Sequence, residues 1–151
     1  MRSDRVIQHT CDPFAVIREI FRVTRPGGTV VIFEPDWGTF SLWLADRDVS
    51  RSILQFWCDN IPSGWVGRSI YAACTDAGLF DISVEPMTLI ITDLAIARKL
   101  FDLDTTFSQA VQRGIVTQKT VSEWEEDLIV ADRKKQFFSS MTFFLVTGKK
   151  P

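Results

Sequence analysis

The sequence predicts an α/β fold, and three observations carry that prediction. An amphipathic stretch after Asp12 runs through Pro26-Gly27-Gly28 into the continuous apolar run 29–33. A strand apolar on both faces belongs inside a parallel or mixed sheet with helices above and below. Two further strand-like segments, 80–92 and 138–146, are separated by stretches of helical spacing. The order is helix, strand, two helices, strand, two or three helices, strand, and helix–turn–buried strand is the repeat unit of α/β architecture.

Residues 5–10 are short and show no clear period. Asp12 reads as an N-cap, with Pro13 at the first helical position, where a missing N–H costs nothing. Phe14, Ile17, Ile20 and Phe21 form one apolar face; Arg18, Glu19 and Arg22 take the other. Pro26 cannot continue the helix, and the two glycines after it allow a tight reversal. Residues 38–44 read as a loop in which Trp37, Phe40, Leu42 and Trp43 crowd together. Residues 46–59 read as a helix with Val49, Ile53, Phe56 and Trp57 inward, followed by a loop carrying Pro62 and Gly64. A third helix covers 67–77, and Gly78 is its stop, where a left-handed residue is needed. Pro86 divides 80–92 into two pieces, 82–85 and 88–92, or leaves one bulged strand. Asp93 caps a helix through Leu94, Ala97, Leu100 and Phe101, and a turn or helix follows over 105–112. The spacing of Val121, Trp124, Leu128 and Ala131 is helical, with Thr117 as its cap.

The bulk numbers narrow the function classes. The 151 residues are 46% hydrophobic and 24% charged, enough for one sizeable core and a single domain over 1–151. Net charge is −2 with the two signs interleaved, so neither nucleic acid nor a membrane surface is an expected partner. The apolar runs are too short to span a bilayer. The start, Met-Arg-Ser-Asp-Arg, lacks the apolar segment of a signal peptide. Cys11, Cys58 and Cys74 are widely spaced and read as small half-buried apolar residues of a chain kept in the reducing cytoplasm. The one histidine, His9, excludes a multi-histidine metal site, and no metal is expected.

No Gly-x-Gly-x-x-Gly, Walker-type loop or Gly-x-Ser-x-Gly elbow is present. The pattern that does bear on chemistry is Glu34, Asp36 and Trp37, directly after the apolar run. Ligands of open α/β sheets bind at the carboxyl ends of strands. A carboxylate there can accept from a ligand amine or hydroxyl, and an indole can wall a pocket. The alternative is that Pro35 ends the strand and both acids are solvated. His9, ahead of the first helix cap, falls on the same side of the sheet and reads either as a general base or as a hydrogen-bonded structural histidine.

Several of these residues carry a resemblance. Ser3-Asp4-Arg5-Val6-Ile7-Gln8-His9, then Asp12-Pro13, then Glu19-x-x-Arg22-Val23-x-Arg25-Pro26-Gly27-Gly28, then Glu34-Pro35-Asp36-Trp37 together resemble the post-core motif region of class I S-adenosylmethionine-dependent methyltransferases. The flavour is that of the small-molecule group that includes the ubiquinone/menaquinone-biosynthesis type. The segments 67–79 and 143–149 are similar to that family's helix before the sixth strand and to its last strand.

The resemblance implies a Rossmann-like sheet of which this chain holds the C-terminal half. Residues 29–33, 82–92 and 138–146 would be the fifth, sixth and seventh strands. They would form a small mixed sheet of order 5-7-6, its last strand antiparallel, flanked by helices. The first four strands and the glycine-rich cofactor motif would be missing. By the same resemblance His9 and Glu34 are the candidate catalytic residues, and Arg5 and Gln8 approach the cofactor, S-adenosylmethionine. Asp36, Trp37, Phe40 and Trp43 would line the pocket of a small lipophilic or aromatic acceptor. The open outer edge of the fifth strand predicts a homodimer or a partner supplying the missing half. Such a chain is the substrate-side half of a methyltransferase, inactive alone, or else a non-catalytic binding module that self-associates through its sheet edge.

Overall fold

The sheet has a strand that the sequence does not announce. The structure, a computed structural model, describes residues 1–43 and 46–151. Its four-stranded sheet runs β1-β2-β4-β3, with β1 at Arg2–Asp4, β2 at Thr29–Leu42, β3 at Phe80–Ile91 and β4 at Ser139–Lys149. The three expected strands are β2, β4 and β3, and the order differs from 5-7-6 by the added β1. That strand lies parallel on β2, pairing Arg2 with Val31, Ser3 with Ile32 and Asp4 with Phe33. The outer edge of the apolar run is therefore covered rather than open. The new edge is only three residues long and carries Arg2 and Asp4.

At its far end β2 also departs from expectation. It continues through Pro35 to Leu42, where a strand end and a loop are expected; Leu44, the last residue of that loop, lies outside the described residues. The reason is which edge each backbone group faces. The Val31 amide bonds the Met1 carbonyl and the Phe33 carbonyl accepts from the Arg5 amide, so odd-numbered residues face β1. Pro35 points to the same edge just past the end of β1, where no ladder bond is asked of it. Two residues on, the Trp37 amide takes the Gly64 carbonyl at 3.0 Å.

Strand β4 runs antiparallel to β2. Lys150 exchanges bonds with Gly27 and Gly28 at one end, and the Trp43 amide reaches the Phe138 carbonyl at the other. Strand β3 is one piece through Pro86. Contacts of Asp81 with Lys149, Ser83 with Thr147 and Thr88 with Thr142 keep one antiparallel register on both sides of the proline. Neither a break nor a bulge is needed, because β3 is an edge strand and proline is tolerated there.

Among the described residues the remaining elements are a 3₁₀ turn at Ile7–His9 and six helices: α1 Pro13–Val23, α2 Arg47–Asp59, α3 Val66–Asp76, α4 Leu94–Phe101, α5 Leu103–Gln112 and α6 Gln118–Arg133. The caps follow local chemistry. Asp12, Asp93 and Thr117 each accept the third amide on, from Ala15, Ile96 and Thr120. Gly78 follows α3 at φ +92, the left-handed backbone its position demands. Phe14, expected on the apolar face of α1, is exposed; Val16 joins Ile17 against the core instead. Cys58 and Cys74 are buried and Cys11 is exposed.

Contacts divide the chain into two compact units. The first holds Met1–Gly38, Asp59–Thr88 and Thr142–Pro151; the second holds Thr39–Cys58 and Leu89–Met141. In the first, α1, α3 and the 3₁₀ turn pack on one sheet face through Ile7, Ile17, Val30, Ile32, Ile70 and Val146. On its other face Phe33 stacks on Phe143 at 5.1 Å, and both remain half-buried with Val31 and Leu145. In the second, Phe40, Trp57, Phe101, Phe107 and Trp124 form a chain of ring contacts. Among the described residues no helix is long and apolar enough to cross a membrane.

Candidate functional site

One face of β2 changes character along its length. Val30 and Ile32 face the apolar core, and the next two residues on that side are Glu34 and Asp36, at 0% and 1% exposure. A buried carboxylate is costly unless its oxygens are hydrogen-bonded. Glu34 meets the condition through the backbone. Its carboxylate accepts the amides of Val6 at 2.8 Å, Ile7 at 2.7 Å and Gln8 at 3.3 Å. These are the first donors of the 3₁₀ turn, which has no side-chain cap of its own. Burial pushes the Glu34 carboxyl above its ordinary value, while the amides and His9 pull it down.

Gln8 extends the arrangement. Its side-chain carbonyl accepts the Trp37 indole N–H at 2.7 Å, and its backbone carbonyl accepts the Ser63 amide at 2.9 Å. The Ser63 hydroxyl donates to the Thr10 carbonyl at 2.6 Å. With Gly64 on the Trp37 amide, the turn at 6–10, the loop at 60–64 and strand residues 34–37 form one hydrogen-bonded patch. Trp37 is half-buried, its ring oriented by Gln8.

Asp36 is satisfied differently. It receives a bidentate fork from Arg68 of α3, Nε at 2.6 Å and Nη2 at 2.8 Å, and the Gly38 amide at 2.9 Å. Planar two-point pairing is the strong form of such contacts. The Arg68 guanidinium also lies 4.2 Å from the ring centre of Trp65. The close approach of α3 to β2 depends on Gly67. A Cβ there would stand 2.7 Å from the Asp36 Cβ and 2.9 Å from the Pro35 carbonyl oxygen.

Of the expected site residues, Arg5, Gln8, His9, Glu34, Asp36 and Trp37 all lie in the first unit. Arg5 is exposed, holds φ +53 and pairs with Asp4 at 2.8 Å. His9 is exposed at the end of the turn. Phe40 and Trp43 belong to the second unit, so the expected crowding of Trp37 with them is not one cluster within a unit. Phe40 is buried against Trp57 and Phe101, and Trp43 is 43% exposed. The sequence reading misses Arg68 and Ser63 as members of the site. Their only signal is a cation and a hydroxyl near Gly64 and Gly67, which takes meaning from partners far along the chain. Beside β1 an open groove of about 640 Å³ is lined by Met1, Arg2, Ser3, Asp4, Val6, Val16 and Ile20. Among the described residues no group of side chains is arranged to hold a metal ion.

No family model matches the chain. It is 32% identical over 149 residues to an uncharacterised 37.1 kDa protein in transposon Tn4556 of Streptomyces fradiae. That match takes in 98% of this chain and 42% of the curated relative's length. Among solved structures it is similar to a protein of Bacillus halodurans C-125 provisionally described as a methyltransferase. The TM-score is 0.50 at 14% identity, covering 99% of this chain and 68% of that one. A phosphoethanolamine N-methyltransferase of Haemonchus contortus, solved with phosphomonomethylethanolamine and S-adenosylhomocysteine, matches with a TM-score of 0.44 at 19% identity. That match covers 99% of this chain and 33% of the enzyme. The mixed sheet of this chain, with its flanking helices, has the α/β fold of that Bacillus halodurans structure.

Proposed function

We propose that the chain is the acceptor-side half of an S-adenosylmethionine-dependent small-molecule methyltransferase, inactive until a second segment completes it. One observation carries the reading: Glu34 gathers the turn bearing Gln8 and His9 against Trp37, partway along β2 and just past the carboxyl end of the parallel strand β1, in a sheet of methyltransferase fold. That end is where α/β sheets take ligands. His9 is the exposed group placed to accept a proton from an acceptor hydroxyl or amine. Glu34, the other nominated proton acceptor, lies enclosed behind it. Asp36 and Trp37 form the acceptor wall, and Arg5 and Gln8 stand on the cofactor side. An indole wall suits a small lipophilic or aromatic acceptor.

The residues present do not fit the whole cofactor. Its amino-acid end and ribose call for free backbone donors and an acidic partner. Here the amides of Val6, Ile7 and Gln8 are taken by Glu34, and the Gln8 side chain is engaged by Trp37 and by the Arg5 carbonyl at 3.4 Å. In this reading the cradle comes from the completing segment, which adds along the β1 groove and the half-buried face of Phe33 and Phe143. The deciding measurement is a calorimetric titration with S-adenosylhomocysteine. The chain alone gives no heat of binding; mixed with an N-terminal methyltransferase half that carries the glycine-rich motif, it does. Binding by the chain alone removes the claim of a missing cradle, and no binding by the mixture counts against the enzymatic reading.

A second reading, a self-associating module without methyl transfer, draws on β3. That edge strand exposes Phe80, Val84, Met87 and Ile90, a composition that invites a second copy. Light scattering separates the two: a monodisperse monomer removes the module reading.

A further inference from the structure

We propose that Glu34 is a positioning residue, not the proton acceptor: its carboxylate clasps the turn at Val6–Gln8 and, through Gln8, sets the plane of the Trp37 indole. Three features of the geometry combine. The carboxylate is fully enclosed and holds three consecutive backbone amides. The last of those residues, Gln8, carries the side chain that receives the indole N–H. Finally, the Gln8 backbone carbonyl is itself held by Ser63. Gln8 is thus pinned at its amide, its carbonyl and its side chain at once, and the indole inherits that rigidity. A group that gave its oxygens to a substrate proton would have to release the turn first.

The arrangement has a consequence for recognition, which rests on the acceptor-side reading above. With its indole N–H already taken by Gln8, Trp37 has no side-chain donor left for a ligand. Specificity at that wall comes from stacking and shape rather than from a hydrogen bond to the indole. Asp36, next on the same strand face, does the parallel service for α3 through Arg68. The two acids therefore make two clasps, one on the turn at 6–8 and one on α3.

The test is a nuclear magnetic resonance comparison of the wild type with E34Q, E34D and Q8A, reading amide exchange at residues 6–8 and the Trp37 indole N–H, assigned with W37F. In E34Q the carboxamide keeps its oxygen on the Val6 and Ile7 amides and turns its NH2 against the Gln8 amide, so exchange at Gln8 accelerates at least tenfold and the indole signal moves. E34D keeps the charge and restores the indole signal in part. Q8A leaves Val6 and Ile7 protected but frees the indole, which separates the clasp from its transmission should E34Q fold poorly. Unchanged protection in both Glu34 variants overturns the clasp, and an indole signal unmoved in Q8A overturns the link to Trp37. None of these readouts requires methyl transfer, so the proposal can fail while the methyltransferase reading stands. Once an active assembly is in hand, a pH–rate profile adds the converse check: E34Q lowers the rate without removing the ionisation that governs it. Loss of that ionisation makes Glu34 the base.

Discussion

Two neighbouring stretches of β2 hold aromatic side chains by different means. At Trp37, in the first unit, the ring is tied by a hydrogen bond to Gln8 and by a backbone that Gly64 receives. From Phe40 onward, in the second unit, rings pack on one another: Phe40 on Trp57 at 5.3 Å, Trp57 on Phe107 at 6.3 Å, Phe107 on Trp124 at 6.0 Å. Trp124 is buried with its indole nitrogen unpartnered among the described residues. The contrast separates two kinds of order. Polar clasps fix a direction, which a binding wall needs. Ring packing fills volume, which a core needs, and tolerates rotation as long as density is kept.

The largest expected effect lies in the packed region. Phe107 is 2% exposed and touches both Trp57 and Trp124. Phe107→Ala opens a cavity in the middle of that chain and should cost about 3–5 kcal/mol, read as a shift of the denaturant midpoint. A loss below about 1 kcal/mol would mean that the rings collapse to fill the space, and that the second unit is less tightly specified than its contacts suggest.

Next comes the clasp on α3. Arg68→Ala takes the bidentate fork away from the buried Asp36 carboxylate and leaves the Gly38 amide in place. Removing one partner of a fully buried pair costs about 3–5 kcal/mol, but Arg68 keeps 45% of its side chain in water, and that solvent screens the pair. A loss of about 2 kcal/mol is expected, partly recovered in the double variant with Asp36→Asn, where no charge is stranded. If the two single losses simply add, the ion pair is not what holds α3 to the strand.

How much of this was legible depends on how local each signal is. The caps at Asp12, Asp93 and Thr117 and the inward set of α6 are local, and all stand where the sequence puts them. Strand β1 has no period to read, since a three-residue strand exists only through its partner. Pro35 and Pro86 mislead for a related reason. A proline breaks a ladder only if a neighbour faces its nitrogen, and that is settled by tertiary structure. The acids after the apolar run were visible as a candidate site. Their roles were not, because the partners of Glu34 lie 26 to 28 residues back and Arg68 lies 32 residues ahead of Asp36.

A matched pair of conservative substitutions then tests the contrast directly. Trp37→Phe removes a donor that Gln8 accepts and should cost about 1 kcal/mol, the net worth of such a bond. Trp124→Phe removes a buried N–H that has no partner, and relief of that penalty offsets the lost ring volume. Its change should stay within about 1 kcal/mol of zero. The reverse ranking would show that the Trp124 nitrogen finds a partner, such as a bound water, and that the two regions are less different than their side-chain bonds indicate.

The smallest effect is one of pH, and its sign distinguishes the enclosed acid from the exposed ones. Burial raises the Glu34 carboxyl above its ordinary 4.5, so the folded state holds that proton more tightly than the unfolded chain. Its contribution to stability is fully present below the unfolded value and is lost as pH rises through the folded one. Asp81, bonded to Lys149 at the surface, behaves oppositely. Its carboxyl is lowered from 3.8, and the benefit present above that value is lost as pH falls through the folded one. Glu19 beside Arg22 and Asp4 beside Arg5 act in the same sense as Asp81. Acidification from neutrality toward the ordinary carboxylate range should therefore raise the melting temperature slightly, and further acidification should lower it. E34Q should flatten the first limb and leave the second. A wild-type melting temperature that falls steadily with pH, in parallel with E34Q, would mean that the three backbone amides outweigh burial and hold Glu34 at or below its ordinary value.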